Sequence, residues 1–405
     1  MELELNGALD EVLKVKERFE SLFGDSSNSL LILSPASLIL LGDHTHYNDG
    51  LLISSSINRY SVIQIKKRND RIINLTSTDW NNSYVKSFAL HEIPSVDETG
   101  YKTLTCLIKL LYREKYIHSG FDCVVSSNIP ECIGLGVMAA LETGFVSAIK
   151  KIFKLSVDIK DLFRLIQENE LNLIGKISNK AHHYTIKFEK EGRLLFIDLR
   201  SMDHKVVSLS NNNFDIVVCD TQERIMNPQD ICNERITECE VGVKGLRLYI
   251  WGIKNLRDVE LDFLLRHFHM LPKKIFNRVL YNVKERIRTE KAIKFLKQKS
   301  LIDFGKCITE SHWDLANDYE LSSEKCDFLV ETASTIRGVL GSKMISCSPI
   351  RSTLNIIEKS ETDSFIELIK NNYRKKFNDD LITYKFSSKE GLKEFSSKKL
   401  QLEHI

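Results

Sequence analysis

Residues 35–50, PASLILLGDHTHYNDG, constrain this chain more than any other stretch, because an apolar run stops there at a glycine and a crowd of polar side chains follows. Leu38 to Leu41 suit a buried strand, and Gly42 supplies the tight turn that ends it. Asp43, His44, His46, Tyr47, Asn48 and Asp49 then bring carboxylate, imidazole, phenol and amide groups to one strand end. That set of donors and acceptors suits a hydroxyl-rich small molecule.

The 405 residues are long for a single core and imply two domains, each able to bury a substantial apolar interior. Lys and Arg number 57 against 55 Asp and Glu, a net charge of +2, which gives no strong field for nucleic acid or an anionic membrane. The basic runs Lys273-Lys274 and Arg374-Lys375-Lys376 read as solvated faces. Nine cysteines, an odd number, are widely spread and never form a CxxC pair, the usage of reduced thiols in a cytoplasmic protein. The N-terminal stretch is charged, with Leu9, Val12, Leu13, Val15, Phe19 and Leu22 at helical spacing, so neither a signal peptide nor a membrane span is expected.

Periodicity predicts buried strands at 30–33 and 38–41, interrupted by Pro35, and another at 60–68. A strand at 121–130 ends in a turn, and residues 135–153 have helical spacing and helix-forming composition. A second helix is expected over 158–175, strands at 194–199 and 214–219, and helices across 258–300 and 323–340. A domain change is placed between Asp198 and Ser208, dividing the chain into residues 1–200 and 201–405.

The opening stretch resembles the GRVNLIGEHTDYNDG motif with which galactokinases, members of the GHMP kinase superfamily, hold sugar hydroxyls. Ser37 stands at the family's Arg, Asp43 at its Glu and His46 at its Asp. The resemblance continues in order through GFDCVVSSNIP, GRLLFIDLRSMDHK, ICNERITECE, VKERIRT, ESHWDLANDYELS, GVLGSKM and TYKFSSKEG. It implies an α+β, two-domain GHMP-kinase fold with the active-site cleft between the N-terminal and C-terminal domains. The implied sugar contacts are Asp43, His44, His46, Tyr47, Asn48 and Asp49, with Cys232 in place of a pocket tyrosine.

Phosphoryl transfer needs a phosphate cradle, Mg²⁺ ligands and charge around the attacking oxygen. The family's cradle reads PxGAGLSSSA, whereas residues 130–139 read PECIGLGVMA, leaving Gly134, Gly136 and Met138 as a degenerate nucleotide loop. Met138 is no ligand for Mg²⁺, and Glu131 facing the loop would repel phosphate. Glu142 matches a helix carboxylate that faces Mg²⁺ in the family. The catalytic Asp of GIMDQ maps to His182, and no carboxylate lies between Glu170 and Glu189. The partner Arg maps to Ser37, with no Lys or Arg between Arg18 and Arg59. In the third motif, GSRMTGGGFGGC, every glycine after Gly341 is replaced, and Pro349 is introduced.

The resemblance therefore implies a galactokinase-like protein with impaired catalysis that binds a sugar or a protein partner. The alternative is an active ATP-dependent sugar kinase of the galactose 1-phosphotransferase type, using Mg and ATP with displaced groups. A purely structural interaction protein is a third reading. His44, His46, His182, His183 and Cys232, all at or beside the implied sugar pocket, admit either a metal site or neutral imidazoles filling vacated space. His182 as a general base for a different transfer is also open.

Overall fold

The computed structural model describes residues 7–78, 84–94, 102–175, 179–208, 213–346 and 348–396. Helix α1 (Leu9–Phe23) buries Val12, Val15 and Phe19, while Leu13 is on its exposed side. Strand β1 (Leu30–Leu41) is buried at every position, as a strand covered on both faces must be. The two strands expected around Pro35 are one. Pro35 lies opposite Tyr60 and the register shifts between Pro35 and Ala36, so the residue without an N–H sits at an irregularity and the ladder continues past it.

Next come β2 (Leu51–Lys67), β3 (Ile72–Ser77), β4 (Lys86–Ala89), α2 (Lys102–Arg113), β5 (Phe121–Ser127), α3 (Val137–Ile152), α4 (Ile159–Ile174), α5 (Ala181–Phe188), β6 (Arg193–Asp198) and β7 (Asp203–Ser208). The ends of α4 follow its sequence signals. Asp158 accepts a hydrogen bond from the Lys160 N–H at 2.9 Å, and Gly175 ends the helix at a φ of 69°.

The remaining elements are β8 (Phe214–Arg224), α6 (Pro228–Leu246), α7 (Leu261–Arg266), α8 (Lys273–Lys297), α9 (Leu301–Asn317), α10 (Glu324–Thr335), β9 (Val339–Ile345), β10 (Ile350–Glu358), α11 (Thr362–Phe377), β11 (Ile382–Phe386) and β12 (Lys393–Ser396). The first sheet runs β12-β1-β2-β5-β3-β4, with β6 on the opening residues of β2 and β7 beyond β6. The second is the antiparallel set β11-β8-β10-β9. β7 pairs antiparallel with β6, so the first sheet extends to Ser208, and the last strand returns to it by pairing Leu30 with Ser396.

One core lies between the first sheet and α2, α3 and α4, around Leu104, Phe145 and Leu162. Another joins the two sheets: Leu38 and Leu40 of β1 share it with Ile216, Val218, Phe304 and Leu354. β1 is thus held from both sides, which fixes where the loop after it emerges. Among the described residues no helix is long and apolar enough to cross a membrane.

Candidate functional site

The loop after β1 begins at Gly42, whose φ is 94° and where an added Cβ would overlap the Leu51 carbonyl, so only glycine fits. Its N–H donates to the Glu285 carboxylate at 2.8 Å, and the Thr45 hydroxyl donates to its carbonyl at 2.8 Å. The six polar residues expected to converge do not all do so. Asp43, His44 and His46 line a cavity of about 50 Å³ together with His182, Ile345 and Ser346. Tyr47 and Asn48 border a separate hollow against α6, of about 180 Å³. Tyr47 bonds to the Tyr319 hydroxyl at 2.6 Å, Asn48 donates to Asn282 at 3.1 Å, and Asp49 accepts from the Asn255 amide. The short helical turn at His46–Asn48 carries Asn48 away from the cavity, while the Tyr47 hydroxyl still reaches His44 Nδ1 at 3.0 Å. Cys232, buried near the start of α6, borders a small hollow with His44 and Ser346, on the Asp43 side of the loop.

Asp43 is engaged at both oxygens. Lys343 of β9, fully buried, forms an ion pair with one, and the Ser346 hydroxyl donates to the other at 2.8 Å. The loop's own neighbourhood in sequence has no cation, and the one that pairs with Asp43 comes from 300 positions away. Lys343 and Ser346 are the site residues that sequence reasoning passed over. The available signal was GSKM, which keeps a basic residue where the family motif reads GSRM.

Ser37 and His182, the two degenerate catalytic positions, are brought together. Ser37 Oγ lies 2.8 Å from His182 Nδ1, and the Ser37 N–H donates to the Leu135 carbonyl at 3.1 Å. Burial pushes His182 down to about 4, with neighbouring His183 lowering it further and Asp43 opposing, so the imidazole is neutral at neutral pH. A neutral hydrogen-bonded pair occupies the place where the resemblance implies two charges.

Cys132, Gly134 and Gly136 all have positive φ, which curls residues 130–136 into a loop at the N-terminus of α3. Protein groups cover that loop. The Ile350 N–H donates to the Cys132 carbonyl at 2.9 Å, and the Ser352 hydroxyl to the Ile133 carbonyl at 3.3 Å. A Cβ on Gly134 would lie 2.5 Å from Ile345 Cγ2, and one on Gly136 would lie 2.9 Å from both Ser37 Oγ and His182 Nδ1. Met138 is 49% exposed on the first turn of α3, and Glu131 is exposed.

Glu142 is fully buried. Its Oε1 accepts from the Asn169 amide at 3.1 Å, its Oε2 has no partner among the described residues, and burial together with Glu170 pushes its carboxyl well up. Among the described residues the group able to surround a metal ion is Glu142, Glu170 and His183, whose ligand atoms lie within 4.8 Å of one another. This corrects the metal reading of the loop histidines: His44, His46, His182 and Cys232 stand outside the group. His44 Nδ1 is 3.0 Å from the Tyr47 hydroxyl, and His182 Nδ1 is committed to Ser37. No two of the eight described cysteines are joined in a disulfide, and Cys347 lies outside the described residues.

Two family profiles match the chain: the GHMP kinases N terminal domain over residues 102–183 and the galactokinase galactose-binding signature over residues 17–67. The galactokinase of Roseiflexus sp. is 27% identical over 352 residues, covering 87% of this chain and 89% of that protein. That of Fusobacterium nucleatum is 28% identical over 361 residues, covering 88% and 93%. Lactococcus lactis galactokinase, solved in complex with galactose, superposes with a TM-score of 0.87 at 24% identity, covering 95% of this chain and all of that one. Methanococcus jannaschii mevalonate kinase superposes at 0.59 and 19% identity, covering 88% and 98%. The likeness to both solved structures is one of fold, the mixed α/β architecture of GHMP kinases.

Proposed function

This chain belongs to the GHMP kinase superfamily as a divergent, galactokinase-like member, and from that premise we propose that it binds a sugar or a protein partner while transferring phosphoryl groups poorly or not at all. The Ser37–His182 pair carries this reading. Phosphoryl transfer depends on charge preorganised around the transferring group, and removing one such group typically lowers the rate roughly a hundred- to a thousandfold. Here the pair is neutral.

Mg·ATP does not fit the residues present in the manner the resemblance implies. Met138 offers only a thioether, Glu142 has no solvent-facing oxygen, and Ile345, Ser37 and His182 cover the glycines of the loop.

On the sugar side, Asp43, His44 and His46 are the proposed contacts, and a hexose is the ligand class supported by the galactose-binding signature. A cavity of about 50 Å³ is small beside the roughly 300–1,000 Å³ of sites that enclose small molecules. A sugar would have to displace Lys343 and Ser346 from Asp43. With purified protein, ATP and galactose, we expect no sugar phosphate above background, and sustained turnover would sink the proposal. A thermal-shift panel of sugars, sugar phosphates and nucleotides separates a sugar binder, whose melting temperature rises with ligand, from a protein-partner binder.

A second reading is favoured by one observation, the buried Lys343 ammonium beside the cleft. It could supply the cation missing at Ser37 in a kinase with displaced groups. That reading requires Mg·ATP binding, so calorimetry without heat at millimolar nucleotide rules it out.

A further inference from the structure

Below the loop at the head of α3, three helices each direct one metal-ligating side chain to a common point: Glu142 from α3, Glu170 from α4 and His183 from α5. We propose that these residues hold a divalent transition-metal ion of the Zn²⁺ type, bound without nucleotide, which clamps the three helices together.

The three residues are 0%, 5% and 1% exposed, so each must satisfy its polar atoms inside the protein. Among the described residues Glu142 Oε2 and His183 Nε2 find no hydrogen-bond partner, and the latter lies 3.6 Å from Glu170 Oε1. Among the described residues, no Lys or Arg is paired with Glu142. Two carboxyl groups so placed repel unless one takes a proton or a cation sits between them. A dication gives a partner to both Glu142 Oε2 and His183 Nε2 and relieves the repulsion between the two carboxyl groups.

The surroundings are arranged as they are around bound metals. Thr143 Oγ1 lies 3.0 Å from His183 Nδ1, which places the proton on Nδ1 when the hydroxyl accepts and leaves the Nε2 lone pair facing the carboxylates. Asn169 donates to Glu142 Oε1 and to the Thr103 carbonyl at 3.2 Å, holding the carboxylate in place from α4. Phe163 lies against the imidazole, with ring centroids 5.8 Å apart. One imidazole with two carboxylates in a dry pocket suits Zn²⁺, Co²⁺ or Mn²⁺ better than Mg²⁺, which gives up its water shell reluctantly.

The site does not rest on the sugar-binding reading or on the kinase alternative. Full-length protein is stripped with a chelator, loaded with Zn²⁺ or Co²⁺, passed through gel filtration and assayed for metal. About one equivalent per chain is expected, with visible absorption bands from Co²⁺ in an enclosed site and a melting temperature that falls on chelation. Glu142→Gln keeps the acceptor for Asn169 and should bind less than about a tenth of an equivalent, with its melting temperature insensitive to chelator. His46→Asn, outside the cluster, should load like the wild type. Two outcomes overturn the proposal: a folded wild-type protein that takes up no metal and shows no thermal response, or full loading retained in both Glu142→Gln and His183→Asn.

Discussion

His182 and His183 are adjacent on α5, and they sit in opposite electrostatic situations. His182 faces the cleft and completes a pair with Ser37, close to an Asp43 carboxylate already neutralised by Lys343 and Ser346. His183 faces the interior of α3 and α4, where two carboxyl groups meet an imidazole and two of the atoms involved have no hydrogen-bond partner among the described residues. The cleft has lost charges and closed over the loss, whereas the helix core keeps two carboxyl groups beside an imidazole, with Glu142 Oε2 lacking a hydrogen-bond partner among the described residues. A polar group whose partners all lie within the chain stabilises the fold, and one whose partners are missing marks a place for a ligand.

That contrast is most exposed to a test at Lys343. Lys343→Met strands a buried carboxylate and should lower stability by about 3–5 kcal/mol in urea unfolding, most of it recovered when Asp43→Asn is added. A loss below about 1 kcal/mol would mean that the cleft is not closed by this pair.

Acid offers the next largest effect. His182 has a pKa of about 4 in the folded protein and 6.5 in the unfolded chain, so between these values the unfolded state binds the extra proton. Its contribution is complete above pH 6.5 and is lost as the pH falls toward 4, at most about 3 kcal/mol. His312 is shifted in the same direction, so the measurement is the difference between wild type and His182→Asn across that window. Equal acid sensitivity in the two proteins would remove His182 from the cleft network.

Ser37→Ala leaves His182 Nδ1 without its partner and should cost about 1–2 kcal/mol by thermal or urea unfolding. Glu142→Gln in metal-free protein should change stability least, within about 1 kcal/mol and toward stabilisation, because it removes a carboxylate held against Glu170. A loss as large as that of Lys343→Met would place Glu142 in a compensated network and erase the difference between the two regions.

Much of the framework was legible in sequence because its signals are local. The Gly42 turn, the run of α3, and the Asp158 and Gly175 ends of α4 depend on residues a few positions apart. β1 was read as two strands because the register shift that carries it past Pro35 depends on β2. β7 and β12 went unnoticed because both are short, partly exposed strands defined by their partners rather than by an apolar pattern. At the site, the loop composition suggests six converging groups, and the helical turn at His46–Asn48 turns Asn48 toward Asn282 while Tyr47 stays in contact with His44 and borders a second hollow.

By itself the sequence determined which groups this protein lacks: no carboxylate between Glu170 and Glu189, no Lys or Arg between Arg18 and Arg59, and no metal-binding side chain at Met138. These are facts of covalent order, and no packing can alter them. Only the tertiary structure decided which of the remaining groups become partners. Lys343 meets Asp43 across 300 positions, Ser37 meets His182 across 145, and Glu142 turns inward toward Glu170 and His183. Pairing of that kind is set by how strands and helices pack, because burial makes every polar atom find whatever neighbour the fold brings within reach.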